Sequence, residues 1–176
     1  MTAFPGVVIG IVRSVDDPEG EGRLQLEFPW MPDSVVSAWA PIAAPMSGKS
    51  RGVFLSPEVD DEVLVAFEHG NFDHPFVVGF LWNGVDQPPE IDRTNRVIVT
   101  PGGHTIRFED GSSRKRVVIK SNGGNQIVLD DGPGAQQIEI QSTAGQSIVI
   151  DDIQQSIQIQ GGGRILAMIG GQLQIT

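Results

Sequence analysis

Four side chains between residues 68 and 74 form the closest grouping of potential metal ligands in this sequence. They are Glu68, His69, Asp73 and His74, and both carboxylates and imidazoles bind zinc and other transition metals. The same segment lies between two runs of alternating apolar residues, so a polar turn between two strands explains it equally well. We therefore predict a turn here, with no metal and no other cofactor.

Three acidic pairs also have the residue types of an active site. Glu109-Asp110, Asp130-Asp131 and Asp151-Asp152 follow one another at a spacing of 21 residues. Two carboxylates can act as the acid and the base of glycoside hydrolysis, but an enzyme has no reason to repeat its catalytic pair at a fixed period. We interpret the pairs as turn residues. His104 has no Ser or Cys motif beside it, so the sequence predicts no catalytic residue and no enzyme.

The 21-residue spacing belongs to a longer repeat that covers residues 100 to 160. Each unit holds two short runs in which apolar and polar residues alternate, separated by Gly, Asp and Ser. Such alternation predicts β-strands, and the fixed period predicts a stacked repeat. After Ile159 the spacing shortens to eight residues. Two equivalent positions of the three units are Gly103, Gly124, Gly145 and Ile106, Ile127, Ile148.

The repeat has two possible closures. A single chain could coil into its own β-helix, although so short a coil would enclose little apolar volume and leave both ends open. Three chains winding around one axis would close a prism and remove the lateral strand edges. Periodicity alone does not decide between them. In the trimer, the inward positions would form an apolar core of Ile106, Phe108, Val117, Ile119, Ile127, Leu129, Ile138, Ile140, Ile148, Ile150, Ile157, Ile159, Ile165, Leu173 and Ile175.

Composition divides the chain into two parts and excludes several functions. All three Trp and seven of the eight Phe precede residue 97, and the net charge is −10. So acidic a chain is a poor nucleic-acid binder, because phosphate neutralisation supplies most of that affinity. Without Cys there are no disulfides or thiolate sites. The sequence shows no signal peptide and no apolar run of membrane-helix length, so we expect synthesis and assembly in the cytoplasm.

The N-terminal part is predicted to be a small all-β barrel. Its apolar runs alternate with a period of two and are separated by turn residues. Five strands in so short a segment favour a Greek-key barrel of the OB type. We predict a barrel over residues 1–87, a linker or neck over 88–103 and a needle over 104–176. The five predicted strands are Val7–Val15, Arg23–Phe28, Ser37–Ala43, Glu62–Glu68 and Pro75–Leu81.

Several motifs of the first part occur together in one known family. They are Asp16-Asp17-Pro18 with Gly22-Arg23, Pro29-Trp30, Ser37-Ala38-Trp39, Pro57-Glu58-Val59 with Glu62-Val63-Leu64-Val65, Phe67-Glu68-His69-Gly70 and Pro75 to Asn83. The set resembles the OB domain of phage baseplate assembly protein V and of VgrG-type spikes of contractile injection systems. Thr100 to His104, followed by Ile106, Phe108 and Asp110, resembles that family's neck. Pro41, Asp60 and Asn71 depart from its usual pattern.

The resemblance implies an all-β homotrimer, an N-terminal OB-fold barrel followed by an intertwined triple-stranded β-helix. It further implies a central spike that sits on a baseplate hub protein and meets the target membrane transiently during injection; from the acidic charge we expect no nucleic-acid partner. A PAAR-type tip protein would bind the far end of the needle. The residues expected to bind that tip are Ile169, Gln172, Leu173, Ile175 and Thr176.

Two other functions remain open at this level. The first is a β-helical protein that binds or processes glycans, as tailspikes do. The second is an OB-fold binding module with a trimerising tail, in which Trp30, Trp39 and Trp82 could stack on bases or sugars. The negative charge disfavours nucleic acid but not glycan.

Overall fold

A computed structural model describes residues 4–32 and 35–176 of the chain. It divides into two compact units, Met1–Gln87 and Pro88–Thr176, which we call the head and the needle. Both units consist of β-strands, and the head also includes a 3-10 turn, Glu68–Gly70. Among these residues, no helix has the length and apolar character needed to span a bilayer.

The head is built around a four-stranded antiparallel sheet in the order β2-β1-β5-β6. Apolar and polar residues alternate along these strands, and the apolar ones face inward; in β5 the buried positions are Val63, Val65 and Phe67. A separate two-stranded hairpin follows the second strand of this sheet. The strands of the head are β1 (Val7–Ser14), β2 (Gln25–Glu27), β3 (Ser47–Gly48), β4 (Arg51–Gly52), β5 (Glu62–Phe67) and β6 (Pro75–Phe80).

The segment over residues 36–43 closes this sheet into a barrel. On one side Leu24 and Ala40 exchange two backbone hydrogen bonds of 2.9 and 2.7 Å, and on the other Val77 N–H donates to Pro41 O at 3.0 Å. The prediction of a regular strand over Ser37–Ala43 is therefore wrong, because the segment forms isolated β-bridges instead of a continuous ladder. The segment changes partners midway, and Pro41 lacks the N–H that a continuous ladder needs.

The head core is apolar and contains a cluster of aromatic rings. Phe28 is fully buried, and its ring centroid lies 5.3 Å from Phe72 and 5.7 Å from Phe67. Gly10 in β1 permits this packing, because a Cβ there would lie 3.1 Å from the Val65 side chain. The buried apolar residues of the head are Val12, Leu24, Leu26, Phe28, Ala40, Val63, Val65, Phe67 and Val77.

The two-stranded hairpin of β3 and β4 extends away from this core. Every residue from Pro45 to Ser56 is exposed, and we call this segment the arm. Two-residue strands are too short to show an alternation of apolar and polar residues in the sequence. Ser50 has a left-handed φ of 55° at the hairpin turn, a conformation that non-glycine residues adopt uncommonly.

One carboxylate organises the long loop between β1 and β2. Asp17, whose side chain is 2 % exposed, accepts the backbone N–H groups of Glu19, Glu21 and Arg23. It also forms a bidentate ion pair with the Arg23 guanidinium at 2.7 and 3.0 Å. The Arg23 hydrogen bonds, assisted by those backbone donors, hold the pKa of Asp17 well below its usual range. The ionised carboxylate thus fixes the loop.

We expect Asp17→Asn to lower the thermal stability of the head at neutral pH, because it removes the charge that Arg23 and the N–H groups contact. A lowered folded-state pKa stabilises the fold above the unfolded-state value of about 4 and loses that effect as pH falls further. The melting temperatures of the wild type and the variant should therefore begin to approach each other only as the pH falls below about 4 and meet near the lowered folded-state pKa of Asp17. Tryptophan fluorescence reports on the head, since all three Trp precede residue 97. Asp16→Asn, the neighbouring charge change, should leave the melting temperature nearly unchanged; equal losses would contradict this role of Asp17.

The needle is one antiparallel sheet in which each strand pairs with the next along the chain. Its first strand, β7, lies inside the segment predicted as a neck, and it pairs with β8 in regular register. A single-chain coil, in which strands would pair across a full turn, is not what the structure shows. The strands are β7 (Asn95–Val99), β8 (Thr105–Gly111), β9 (Arg114–Lys120), β10 (Gln126–Asp130), β11 (Gln137–Gln141), β12 (Ser147–Asp151), β13 (Ser156–Gly161), β14 (Arg164–Ile169) and β15 (Gln172–Ile175).

The 21-residue repeat corresponds to one turn geometry that occurs three times. Thr100, Ser121 and Ser142 each accept the backbone N–H of the residue four positions later on their hydroxyl oxygens, at 3.1 Å. In each turn the preceding glycine has a left-handed φ, 86° at Gly145 for example. Local hydroxyl–backbone hydrogen bonds of this kind stabilise turns. The repeat therefore corresponds to the hairpin turns that connect the strand ends along one side of the sheet.

Candidate functional site: the apolar face of the needle

The ladder register of the needle places its large apolar side chains in two columns on one face. Each strand from β8 to β15 contributes one residue to each column, because residues paired across an antiparallel ladder point to the same side. The first column is Ile106, Ile119, Ile127, Ile140, Ile148, Ile159, Leu166 and Ile175. The second is Phe108, Val117, Leu129, Ile138, Ile150, Ile157, Met168 and Leu173. We call this surface the apolar face.

The apolar face is uncovered within one chain. Apart from half-buried Val117, its members are between 36 % and 70 % exposed, although most are β-branched or otherwise strongly hydrophobic. An isolated soluble protein rarely exposes a contiguous apolar patch of more than a few hundred Å². Full burial of one such side chain is worth about 1.5–3 kcal/mol, so covering two columns is a large favourable term. The face has the properties of a core that needs a partner.

A shallow concavity of about 610 Å³ deepens the face near its end. It lies across β11 to β15, and its apolar lining includes Ile140, Ile148, Ile159, Leu166 and Ile175. Side chains from another chain would fill this space, since close packing is what makes an apolar interface favourable.

Fourteen of the fifteen residues predicted for the trimer core lie on the apolar face. The exception is Ile165, which is paired with Gln160 and therefore points to the opposite side. Leu166 and Met168 take the column positions of β14, opposite Ile159 and Ile157. Ile165 was assigned from the eight-residue spacing alone, and the tight turn at Gly162-Gly163 shifts the strand by one residue. A shift of one residue moves every side chain of a strand to the other face.

The opposite face of the sheet is mixed and mainly polar. Its central row has Val118 and Val128 side by side between Arg107 and Glu139. One flank carries glutamines, and Gln126 donates to Gln141 across strands at 3.0 Å. This amphipathic pattern, apolar on one side and polar on the other, is typical of a sheet with one solvated face.

The three acidic pairs occupy structural positions on the hairpins. Glu109 is nearly buried against Arg116 at 2.7 Å, whereas Asp130 and Asp151 accept backbone N–H groups of their own turns at 2.9 and 2.8 Å. The backbone N–H of the second acid in each pair extends the hydrogen-bond ladder between strands. For example, the backbone N–H of Asp131 donates to Lys115 O at 2.8 Å. Glu109 is the member whose role the sequence did not indicate, since its Arg116 partner lies on the adjacent strand.

His104 occupies a position that recurs in the repeat. Its Nδ1 accepts the backbone N–H of Asn122 at 3.3 Å. One repeat later, the Asn125 side chain accepts the N–H of Thr143 at 3.0 Å in the same way. The equivalent contacts show that the imidazole links two successive turns of the needle.

The predicted turn that contains four potential metal-ligating side chains connects β5 and β6. Glu68 and His74 approach to 3.2 Å, while Asn71 caps the N–H of Asp73. His69 adopts a left-handed φ of 51° in the 3-10 turn. Over residues 4–32 and 35–176, no three His, Asp or Glu side chains lie close enough together to hold a metal ion.

The three tryptophans of the head differ in exposure. Trp30 donates its indole N–H to Ile9 O at 3.1 Å and packs on Phe28 and Phe4, so it is partly engaged in the barrel. Trp39 is half-buried, and Trp82 is exposed. They do not form a stacked row among the aromatic contacts of the described residues.

The residues predicted to bind a tip protein lie on the last two strands. Leu173 and Ile175 are the most exposed members of the apolar face, at 63 % and 70 %. Ile169 and Gln172 are paired with each other on the polar face, and Thr176 exchanges backbone hydrogen bonds with Ile165. Within the described residues, β15 pairs on one side only, with β14.

Two family models match the chain, one in each unit. Residues 8–82 match the type VI secretion system/phage-baseplate injector OB domain. Residues 116–176 match the phage baseplate V C-terminal trimerisation domain. The all-β class, the OB head and the family resemblance inferred from sequence are thereby confirmed.

Curated proteins similar to the chain include spike proteins of type VI secretion systems. The spike protein VgrG5 of Pseudomonas aeruginosa is 31 % identical over 125 residues, which are 60 % of this chain and 16 % of that protein. The spike protein VgrG3 of Vibrio cholerae is 26 % identical over 136 residues, 66 % of this chain and 13 % of that protein. The actin cross-linking toxin VgrG1 of Vibrio cholerae is 25 % identical over 128 residues, 62 % of this chain and 12 % of that protein. The chain thus spans less than a fifth of the length of these relatives.

Proposed function

The chain belongs to the phage baseplate V family of injector proteins, and from this premise we propose that it is the homotrimeric central spike of a contractile injection particle. The observation that carries the proposal is the uncovered apolar face of the needle, whose two columns run through β8 to β15. Three copies that turn this face toward one axis bury all of it together. The match of residues 116–176 to a trimerisation domain supports the same stoichiometry.

The proposed work of this spike is mechanical. Each layer of the core would combine residues from all three chains, for example Ile138 and Ile150, which are paired across β11 and β12. Separating the chains would expose many apolar layers in one step, so unfolding would be slow and the needle kinetically stable. Force would come from contraction of the particle, and the needle would supply rigidity while it pierces the target membrane.

The chain is proposed to act without catalysis of its own. The acids that suggested hydrolysis instead stabilise hairpins, through Arg116 for Glu109 and through backbone N–H groups for Asp130 and Asp151. A carboxylate that is committed to such contacts is not positioned to exchange protons with a sugar. Assembly would take place in the cytoplasm, as part of a tail-like particle.

The head is proposed to seat on a baseplate hub protein, as the family resemblance implies. The acidic net charge of residues 1–87, 4 basic against 13 acidic residues and hence −9, would favour a hub surface of the opposite sign. The other end of the needle is proposed to bind a PAAR-type tip protein. Strand edges and apolar side chains such as Leu173 and Ile175 are surfaces that proteins usually cover.

The composition of native particles tests the spike assignment. Sheathed particles purified from the source cells should contain this chain at three copies each, at the baseplate end, and a particle lacking it should no longer penetrate membranes. Quantitative mass spectrometry measures the copy number, and antibody labelling in the electron microscope measures the position in the particle. Exclusive recovery of the chain outside any particle would overturn the proposal.

The tip contact predicts a separable defect. Leu173→Asp should abolish capture of a PAAR-type tip protein while the trimer persists, because an exposed carboxylate disfavours an apolar contact but removes only one of the apolar layers. Gln174→Asp, next to it on the polar face, is the matched control and should retain capture. A pull-down measures binding, and light scattering measures the trimer. Equal capture by both variants would show that the tip protein does not use this surface.

A further inference from the structure

The arm, Pro45–Ser56, is an exposed part of the head that contributes no residue to the barrel core. It is held by the short β3–β4 ladder and by a hydrogen bond from Val53 N–H to Met46 O at 3.0 Å. Phe54 and Leu55 are 76 % and 60 % exposed, although both are large and apolar. A side chain at Gly22 would meet the Phe54 ring at 3.0 Å, so the base of the arm lies over that glycine. Beyond this point, none of the residues that the structure describes covers the arm.

The charge of the arm is opposite to that of the rest of the head. Lys49 and Arg51 are two of the four basic residues in residues 1–87, and the arm contains no acid. The remaining head residues carry 2 basic and 13 acidic residues, a net charge of −11. Arg13 and Arg23 are paired with carboxylates. Lys49 and Arg51 form no ion pair with any residue that the structure describes.

Carboxylates are concentrated at one end of the barrel. The loop after β1 carries Asp16, Glu19 and Glu21, and the segment before β5 reaches the same end of β1, where Asp60 N–H donates to Val12 O at 2.9 Å. We call this surface, residues 16–21 and 58–61, the acidic end. Arg13 and Arg23 neutralise only part of it. Glu19 and Glu21 remain largely exposed.

We propose that in the assembled spike the arm of each protomer lies against the acidic end of a neighbouring protomer's head. This inference rests on the trimer proposed above. Three heads attached to one needle are held at high effective concentration, so contacts that would be weak between free molecules become populated. Lys49 and Arg51 would pair with the exposed carboxylates, and the contact would cover Phe54 and Leu55. The opposite charges of the arm and the acidic end would determine that these two surfaces meet.

Disulfide trapping tests the contact directly, because the natural chain contains no Cys. In the full chain, Lys49→Cys combined with Glu19→Cys should give covalent dimers and trimers after mild oxidation and denaturing electrophoresis without reductant. A second pair, Lys49→Cys with Glu21→Cys, covers a small difference in register. The matched control joins Lys49→Cys to Asp73→Cys, since Asp73 is exposed at the β5–β6 turn outside the acidic end. We expect at least about tenfold more crosslinked chain from either test pair than from the control.

Charge reversal in the same assay separates attraction from chance collision. Adding Arg51→Glu to a test pair should lower the crosslinked fraction several-fold, and restoring a cation with Arg51→Lys should recover most of it. Light scattering before oxidation shows whether the trimer is present. Trimeric mass with crosslinking at the control level for both pairs would overturn the arm contact and leave the spike assignment standing. A monomeric mass would overturn the trimer itself, and with it this inference.

Discussion

Replacing Ile138 with aspartate is expected to prevent the needle from assembling. Ile138 lies in the middle of the second column of the apolar face, paired with Leu129 on one side and Ile150 on the other. In a trimer the substitution would bring three carboxylates into one apolar layer. An unpaired charge in such surroundings costs far more than the layer gains by burial. Light scattering should show insoluble chain or the loss of the trimer.

The control for this experiment is Gln141→Asp, on the same strand. Gln141 points to the polar face, where it accepts a hydrogen bond from Gln126, and an aspartate there remains in contact with water. The introduced charge is the same, so a difference between the variants reports which side of the sheet is buried. If both variants assemble equally well, the apolar face is not the trimer core.

The second large effect is expected in the head, from Phe28→Ala. The Phe28 ring is fully buried and contacts Trp30, Phe67 and Phe72. Such a truncation typically costs about 3–5 kcal/mol, a large part of the roughly 5–15 kcal/mol that keeps a domain folded. At roughly 4–8 °C per kcal/mol for a domain of this size, the fluorescence melting temperature of the head should fall by at least about 12 °C.

Phe54→Ala is the matched control, since it removes the same ring from an exposed position of the arm. Its melting temperature should stay within a few degrees of wild type. The Phe28 variant should still form trimers, because the apolar face belongs to the needle alone. Loss of the trimer on unfolding of the head would contradict the view that each unit has its own core.

The sequence was most informative where a local pattern determines structure. The 21-residue period predicted repeated strands separated by Gly, Asp and Ser, and the structure has a hydroxyl-capped turn with a left-handed glycine at each of the three equivalent positions. Period-two alternation identified β5 and the core of the head, where Val63, Val65 and Phe67 point inward. The same alternation grouped fourteen residues that the ladder register places on one face, the apolar face.

The sequence was least informative where pairing between distant segments decides the geometry. Nothing local distinguishes Ile165 from Leu166 as the inward residue of β14, since both are large and apolar; the turn at Gly162-Gly163 sets the register. The segment around Ala40 alternates like a strand but serves two partners, Leu24 and Val77. Periodicity within one chain also does not say how many chains share a core; here the match of residues 116–176 to a trimerisation domain supports three.

The mass of the full chain in solution tests the central claim most directly. Light scattering or native mass spectrometry at micromolar concentration should give about three times the 18.9 kDa of one chain, because a stable monomer would expose both columns of the apolar face to water. A version ending at Gln87 should lose this association. A soluble full-length monomer of 18.9 kDa would contradict the account.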